Sequence, residues 1–302
     1  MKWKFVTISL ALIVSTTMNA IVKTGSCGTN LTWSLNTEDS TLIISGSGDM
    51  YYGKYNDYPS WYSYNSYIAY VSLPENLTSI GGSAFEYCTN LTNITIPNNV
   101  VSIGDAAFYY SGLTSIEIPN SVVNIGLNAF KYCSNLSSLI IGNHVKSIRG
   151  STFANCSSLT SVEIPNSVVS IRGSAFELCS NLMSVIIPSS VDTIDMGAFY
   201  NCSKLSSIMN YATTPQPIDT WVFQGVKKST CTLYVPKASL NAYKTADNWK
   251  DFFNILSIED AHTAIEETEQ DPTIKSKKMF IDGQVFILQG NKTYMINGTK
   301  IK

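Results

Sequence analysis

Histidine is almost missing from this chain: His144 and His262 are the only two in 302 residues. No G-x-S-x-G elbow accompanies His144, so a serine, histidine and acid triad lacks its nucleophile turn. Charge is scarce as well. Only 14% of residues are charged, and 20 basic against 22 acidic side chains leave a net charge of −2. That balance supplies no basic field for phosphates, which sets nucleic acid aside as a partner. Cysteine occurs seven times, yet no two lie closer in sequence than 23 residues. Zinc sites draw on ligand pairs about two to four residues apart, so the cysteines do not read as a metal centre. Beyond the amino terminus no run approaches the roughly 20 apolar residues that span a bilayer. These absences leave no catalytic, metal or cofactor residues to assign, and no transmembrane span.

What is present is apolar content, at 44%, in a chain long enough for a sizeable core. Serine, asparagine, threonine and tyrosine must then cover most of the surface, as suits an exported protein. Residues 1–20, "MKWKFVTISLALIVSTTMNA", carry Lys2 and Lys4, an apolar run from Phe5 to Val14, and small or polar residues up to Ala20. They read as a secretory signal peptide.

The chain also repeats itself. Phe85, Phe108, Phe130, Phe153, Phe176 and Phe199 are separated by 23, 22, 23, 23 and 23 residues. One unit, "LTSVEIPNSVVSIRGSAFELCSN", runs from Leu159 to Asn181. Its L-x-x-V-x-I spacing fits a short strand with one buried face, which Pro165 closes because it cannot donate to a ladder. "VSI" forms a second short extended piece, and "GSAFELC" is expected to make a brief helical turn. A unit this small cannot bury its own apolar face, so units must stack into a repeat solenoid with a shared core. Ile94, Ile116, Leu139, Val162, Val185 and Ile208 should form one column of that core, and the phenylalanines another.

The pattern "SIGGSAFEYCTNLTNITIPNNVVSIG" resembles the BspA-like leucine-rich repeat family of bacterial surface proteins, with its strand ending I-P, its V-x-x-I segment and its A-F-x-x-C turn. The resemblance implies a fold of ~23-residue units, with short parallel strands plus helical turns, over residues 71–258 including a carboxyl-terminal cap. It also implies a β-rich amino-terminal cap over 21–70. Residues 259–275 read as a polar linker. In 276–302, Asp282-Gly283, Gly290-Asn291 and Asn297-Gly298 separate β-prone runs, which predicts a small β-meander. This tail is similar to the sorting modules of the type IX secretion route, which would anchor the protein at the outer surface.

The repeat pattern exposes several candidate sites. Outward strand positions form a row of serines, Ser115, Ser138, Ser161, Ser184 and Ser207, with Glu117, Ile140, Glu163, Ile186 and Met209 standing above it as the candidate binding face. Glu117 and Glu163 would lie ~10 Å apart with Ile140 between them, at the edge of an inverting glycosidase pair, but with no desolvating pocket in view. Arg149 and Arg172 would stand one coil apart and repel unless an anion or Asp195 pairs with them. The cap holds eight tyrosines between Tyr51 and Tyr70. Tyr55, Tyr58, Trp61 and Tyr64 are its candidate contact surface, although the same rings could simply cover the first repeat. At the turn cysteine, Ser111 takes the place held by Cys88, Cys133, Cys156, Cys179 and Cys202. A position that accepts serine wants a small, weakly polar group that reaches a carbonyl. At least five of the seven cysteines are expected to be free and buried, because in-register Cβ atoms near ~4.8 Å exceed the ~3.8 Å a disulfide prefers. Recognition of host extracellular proteins or glycoconjugates is the implied role. A surface-layer spacer and a carbohydrate-active solenoid are the alternatives.

Overall fold

A computed structural model of the protein describes residues 22–51 and 58–260, and in the tail the strands Lys277–Ile281, Gln284–Gln289, Lys292–Met295 and Lys300–Ile301. The signal peptide, Tyr55 and nearly all of the linker lie outside the described residues.

Two short extended pieces per unit build the solenoid. The L-x-x-V-x-I pieces pair in parallel, coil to coil: Ser115–Glu117 with Ser138–Ile140, and then Ser161–Glu163, Ser184–Ile187, Ser207–Asn210, Thr232–Val235 and Asn254–Ser257 in one five-stranded sheet. The V-x-x-I pieces pair likewise, for example Ser147–Ile148 with Ser170–Ile171 and Thr193–Ile194. Register brings like residues together, so Val162, Val185, Ile208, Leu233 and Ile255 form one buried column. Leu139 of the expected column is only half-buried. At the amino end, Val22–Gly28, Leu31–Asn36 and Thr41–Gly46 form an antiparallel cap sheet that Tyr70–Ser72 joins in parallel. The tail strands form an antiparallel meander.

The turn differs from the helical one expected. In "SAFELC" the residues two before and two after the phenylalanine, Ser174 and Leu178, have positive φ of 58° each. Alternate peptide planes are thereby flipped. Ala175, Glu177 and Cys179 donate to carbonyls three residues back, while Ser174, Phe176 and Leu178 donate to Met196, Ala198 and Tyr200 of the next coil. The Phe and Phe+2 bonds recur from the first coil, Phe85 to Ala107 and Tyr87 to Tyr109, through Phe199 to Val222. Every amide of the turn is thus satisfied, and the turns become a second inter-coil ladder.

The phenylalanines stack beneath this ladder. Successive centroids from Phe85 to Phe223 lie 5.1 to 5.5 Å apart, with ring planes within 22° of one another. Trp61 covers the first ring at 6.4 Å and Trp249 the last at 5.4 Å. Because the inter-coil N–H groups of the turns point toward the carboxyl end, the turn of the first coil presents carbonyls with no preceding coil to satisfy them. The cap supplies substitutes: the Trp61 indole donates to Ala84 O at 2.8 Å, and the Asn65 amide donates to Glu86 O. Trp61 is 1% exposed. Its assignment to a contact surface is therefore corrected: it plugs the solenoid end with both a ring and a donor.

Each buried phenylalanine removes a large apolar side chain from water, worth roughly 1.5–3 kcal/mol before packing is counted. Phe153→Ala, in mid-stack, should cost about 3–5 kcal/mol in urea unfolding of the full chain, since a rigid column cannot collapse into the hole. A loss below about 1 kcal/mol would mean that the ring column does not hold the coils together.

Candidate functional surfaces

Thiols are the first groups to test for chemistry. All seven cysteines are free and buried. Cys133, Cys156, Cys179 and Cys202 each donate S–H, at 3.1 to 3.2 Å, to the phenylalanine carbonyl of the preceding coil: Phe108, Phe130, Phe153 and Phe176. Ser111 Oγ lies 3.2 Å from Cys133 Sγ, in line with this column. Desolvation pushes Cys133 up to about 11 and Cys202 to about 12, and raises Cys156 and Cys179 well above the ordinary thiol value. A nucleophile or metal ligand needs the thiolate, which this environment suppresses. No cluster of three or more His, Cys, Asp or Glu side chains suited to a metal occurs among the described residues.

Each arginine has an acidic partner. Arg149 pairs with Asp105 and Arg172 with Asp195, both at 3.4 Å and largely in solvent. Gly126 lies on the intervening coil, where a Cβ would come within 2.5 Å of Asp105 Oδ1, so its lack of a side chain leaves room for that pair to reach across two coils.

The strand face is partly as expected. Glu117 stands beside Ile140 in one sheet segment, and Glu163, Ile186 and Met209 stand in register in the next, continued by Tyr234 and Leu256. Ile140 is 48% and Leu256 50% exposed, Ile186 is half-buried, and Glu117 and Glu163 are exposed. Met209 is the exception, at 1% exposed. It lies between Ile186 and Tyr234 in the sheet, and its burial removes it as a contact residue. Glu163 needs a second correction. It lines an open cleft of about 900 Å³ with Asn143, Pro165, Ile186, Pro188 and Tyr211. Although its side chain meets solvent, the cleft desolvates the carboxyl enough to raise its pKa. Tyr211 is raised in turn, by burial first and then by Glu163 and Glu259. Glu163 is the one carboxylate among the described residues of that lining, whereas acid–base glycoside cleavage uses two.

In the cap, Tyr58 is 43% exposed and stacks on Tyr62 at 4.0 Å, while Tyr64 is half-buried against the core with Lys23 Nζ 5.9 Å from its ring. The cap row continues onto the repeats at a place the sequence reading passed over. Tyr87, Tyr110 and Tyr132 occupy the left-handed Phe+2 position, with φ of 57°, 58° and 63°. Tyr109 lies among them, 5.5 Å from Tyr87 and 5.6 Å from Tyr132. A left-handed backbone costs an L-residue about 1–2 kcal/mol, least for Gly and Asn. Later coils place Asn155, Leu178, Asn201 and Gly225 at this position. The signal was present in "FEYC", "FYYS" and "FKYC", but only the φ signs and the coil stacking turn those letters into one exposed row.

Comparison with known proteins accords with this architecture. Residues 59–182 and 125–246 match the BspA type leucine rich repeat region, in six copies. The chain belongs to the BspA-type leucine-rich repeat family. A surface or protein-binding role goes with membership of that family. Among solved structures, a leucine-rich repeat protein of T. pallidum is 22% identical, with coverage of 61% of this chain and 71% of that one and a TM-score of 0.34. A leucine rich cell surface protein of Faecalibacterium prausnitzii is 19% identical over 79% of this chain and 95% of that one, at a TM-score of 0.37. One from Bacteroides ovatus is 15% identical over 76% and 89%, at 0.38. No curated protein matches the chain. No helix among the described residues of this BspA-type chain is long and apolar enough to cross a membrane.

The thiol column makes a direct prediction. Folded protein at pH 8 should leave a water-soluble thiol reagent unreacted, and denaturant without reductant should release all seven groups. Two or fewer would reveal disulfides. Because folding raises these pKa values, the stability they favour is intact below the ordinary thiol value of 9.0 and is lost as pH climbs toward about 11 to 12. Urea midpoints should therefore fall above pH 9, and fall less in a Cys156→Ser variant.

Proposed function

We propose that this is a secreted or surface-attached recognition protein of adhesin type, whose parallel strand face holds a host extracellular protein. The observation that carries the reading is the in-register outward row. Small serines, of which Ser184 is buried, keep the face flat, Ile140 and Ile186 give it apolar relief, and Glu117 and Glu163 mark it with acid. Solenoids use extended faces of this kind to spread binding over many contacts. A recognition hot spot pairs a partly desolvated anchor with a polar rim. The cleft beside Glu163 supplies the same combination: apolar Ile186, Pro165 and Pro188 around a carboxylate with no ion-pair partner among the described residues. A basic side chain of the partner fits it by charge.

Export through the signal at 1–20, with the tail at 276–302 serving as the sorting and anchoring element, completes the reading. Catalysis has no part in it.

The face can be tested by a charge block. Ile140→Lys together with Ile186→Lys should weaken adhesion of the full chain to immobilised host matrix proteins by about tenfold or more, with an unchanged circular dichroism spectrum. Undiminished adhesion by the folded double variant would remove the strand face from consideration. Absence of saturable binding by the parent protein would favour a surface-layer spacer instead.

A further inference from the structure

On the turn side of the solenoid, away from the strand face, a second row of side chains is built differently. It begins in the cap with Tyr58 and Tyr62 and continues over the first three coils with Tyr87, Tyr109, Tyr110 and Tyr132. Ring centroids of neighbouring coils are 5.5 to 5.6 Å apart, and the rings alternate between edge-on and tilted arrangements. Tyr58, Tyr87 and Tyr110 are more than 40% exposed. The core does not require these rings, since the coil's burial is supplied by the phenylalanine two residues earlier. The backbone does not favour them either, because asparagine or glycine suits a left-handed residue better and stands there in three of the four later coils, Leu178 being the fourth. A costly placement repeated in three consecutive coils, and continuous with the cap, points outward for its reason.

We infer that this tyrosine row is a binding platform for a neutral polysaccharide chain lying along the solenoid axis. The chemistry of the row selects that ligand. Each ring offers a face or edge on which the C–H side of a pyranose can rest, and each ends in a hydroxyl that can bond to sugar hydroxyls. The phenols are already paired, Tyr58 with Tyr62 and Tyr87 with Tyr109. Burial raises the pKa of the Tyr62 and Tyr109 hydroxyls, with a smaller push from Glu86, itself 9% exposed, so both stay protonated and able to donate. Among the described residues the row carries one charge of each sign: Glu86 is buried at one end, and Lys131 stands 5.5 Å from the Tyr132 ring at the other. A polyanion or polycation would gain nothing from it. Aliphatic anchors of the kind seen on the strand face are missing from the row, so an apolar protein surface fits it less well than a polyol. The stepped spacing suits a ligand that itself repeats along a line.

Asparagine fits the left-handed backbone better than tyrosine, so the test can remove the rings without endangering the fold. Cellohexaose, laminarihexaose, maltohexaose and a soluble galactomannan would be titrated calorimetrically into the full chain, with heparin as the polyanion. At least one neutral saccharide should bind saturably and perturb tyrosine fluorescence. The combined Tyr87→Asn, Tyr110→Asn and Tyr132→Asn variant should lose about tenfold or more of that affinity with an unlowered Tm. Leu178→Asn, the same backbone position outside the row, should bind like the parent. The inference is overturned if no neutral saccharide binds, if heparin binds in their place, or if the triple variant binds as well as the parent. It is equally overturned if Leu178→Asn shares the loss.

Discussion

Everything in this molecule depends on how one coil is joined to the next. A single unit has an apolar side it cannot cover, and a turn whose alternate amides point away from their own coil. Stacking resolves both at once. Phenylalanine rings meet at 5.1 to 5.5 Å, close to the roughly 4.8 Å separation that hydrogen-bonded strands impose, and the flipped turn peptides bond across the same gap. The joint has a direction. In the turn ladder the donors face the carboxyl end and the acceptors the amino end, so the turn of the first coil needs donors from elsewhere. Trp61 and Asn65 supply them. The amino-terminal cap is thus fitted to the polarity of the ladder, and covering the exposed core is only part of its work.

Residues whose role is set by their own coil were legible from the chain alone. The period, the two extended pieces, the phenylalanine column and the meaning of a cysteine that alternates with serine all follow from spacing within one unit. Residues whose role is set by neighbouring coils were not. "SAFELC" has an apolar spacing that suits a helical turn as well as the flipped ladder, and nothing in Ser174 or Leu178 announces a positive φ. Met209 occupies an outward position yet is buried, and its sheet neighbours Ile186 and Tyr234 lie 23 and 25 residues away in sequence. Glu163 gains its desolvating cleft partly from Tyr211, which follows the strand where the sequence leaves the repeat pattern. Trp61 looks like a member of a sticky aromatic surface until its indole is seen to replace a missing backbone donor.

The same division separates scaffold from recognition. Inward columns are nearly invariant from coil to coil: phenylalanine, an aliphatic strand residue, and cysteine or serine in the turn. Outward columns change. On the strand face they pass from glutamate to isoleucine to tyrosine, and on the turn face from tyrosine to asparagine. Thiols raised above their ordinary pKa by burial are poor nucleophiles, and it is the outward columns that distinguish one coil of this solenoid from another.

The central claim is that the turns, as much as the strands, carry the hydrogen bonds that bind coil to coil. Amide hydrogen exchange on the full folded chain, resolved to individual residues, addresses it directly. The account predicts that the amides of Phe130, Phe153 and Phe176 exchange as slowly as the strand amides around Val185. Turn amides that exchange freely while the strands stay protected would contradict it.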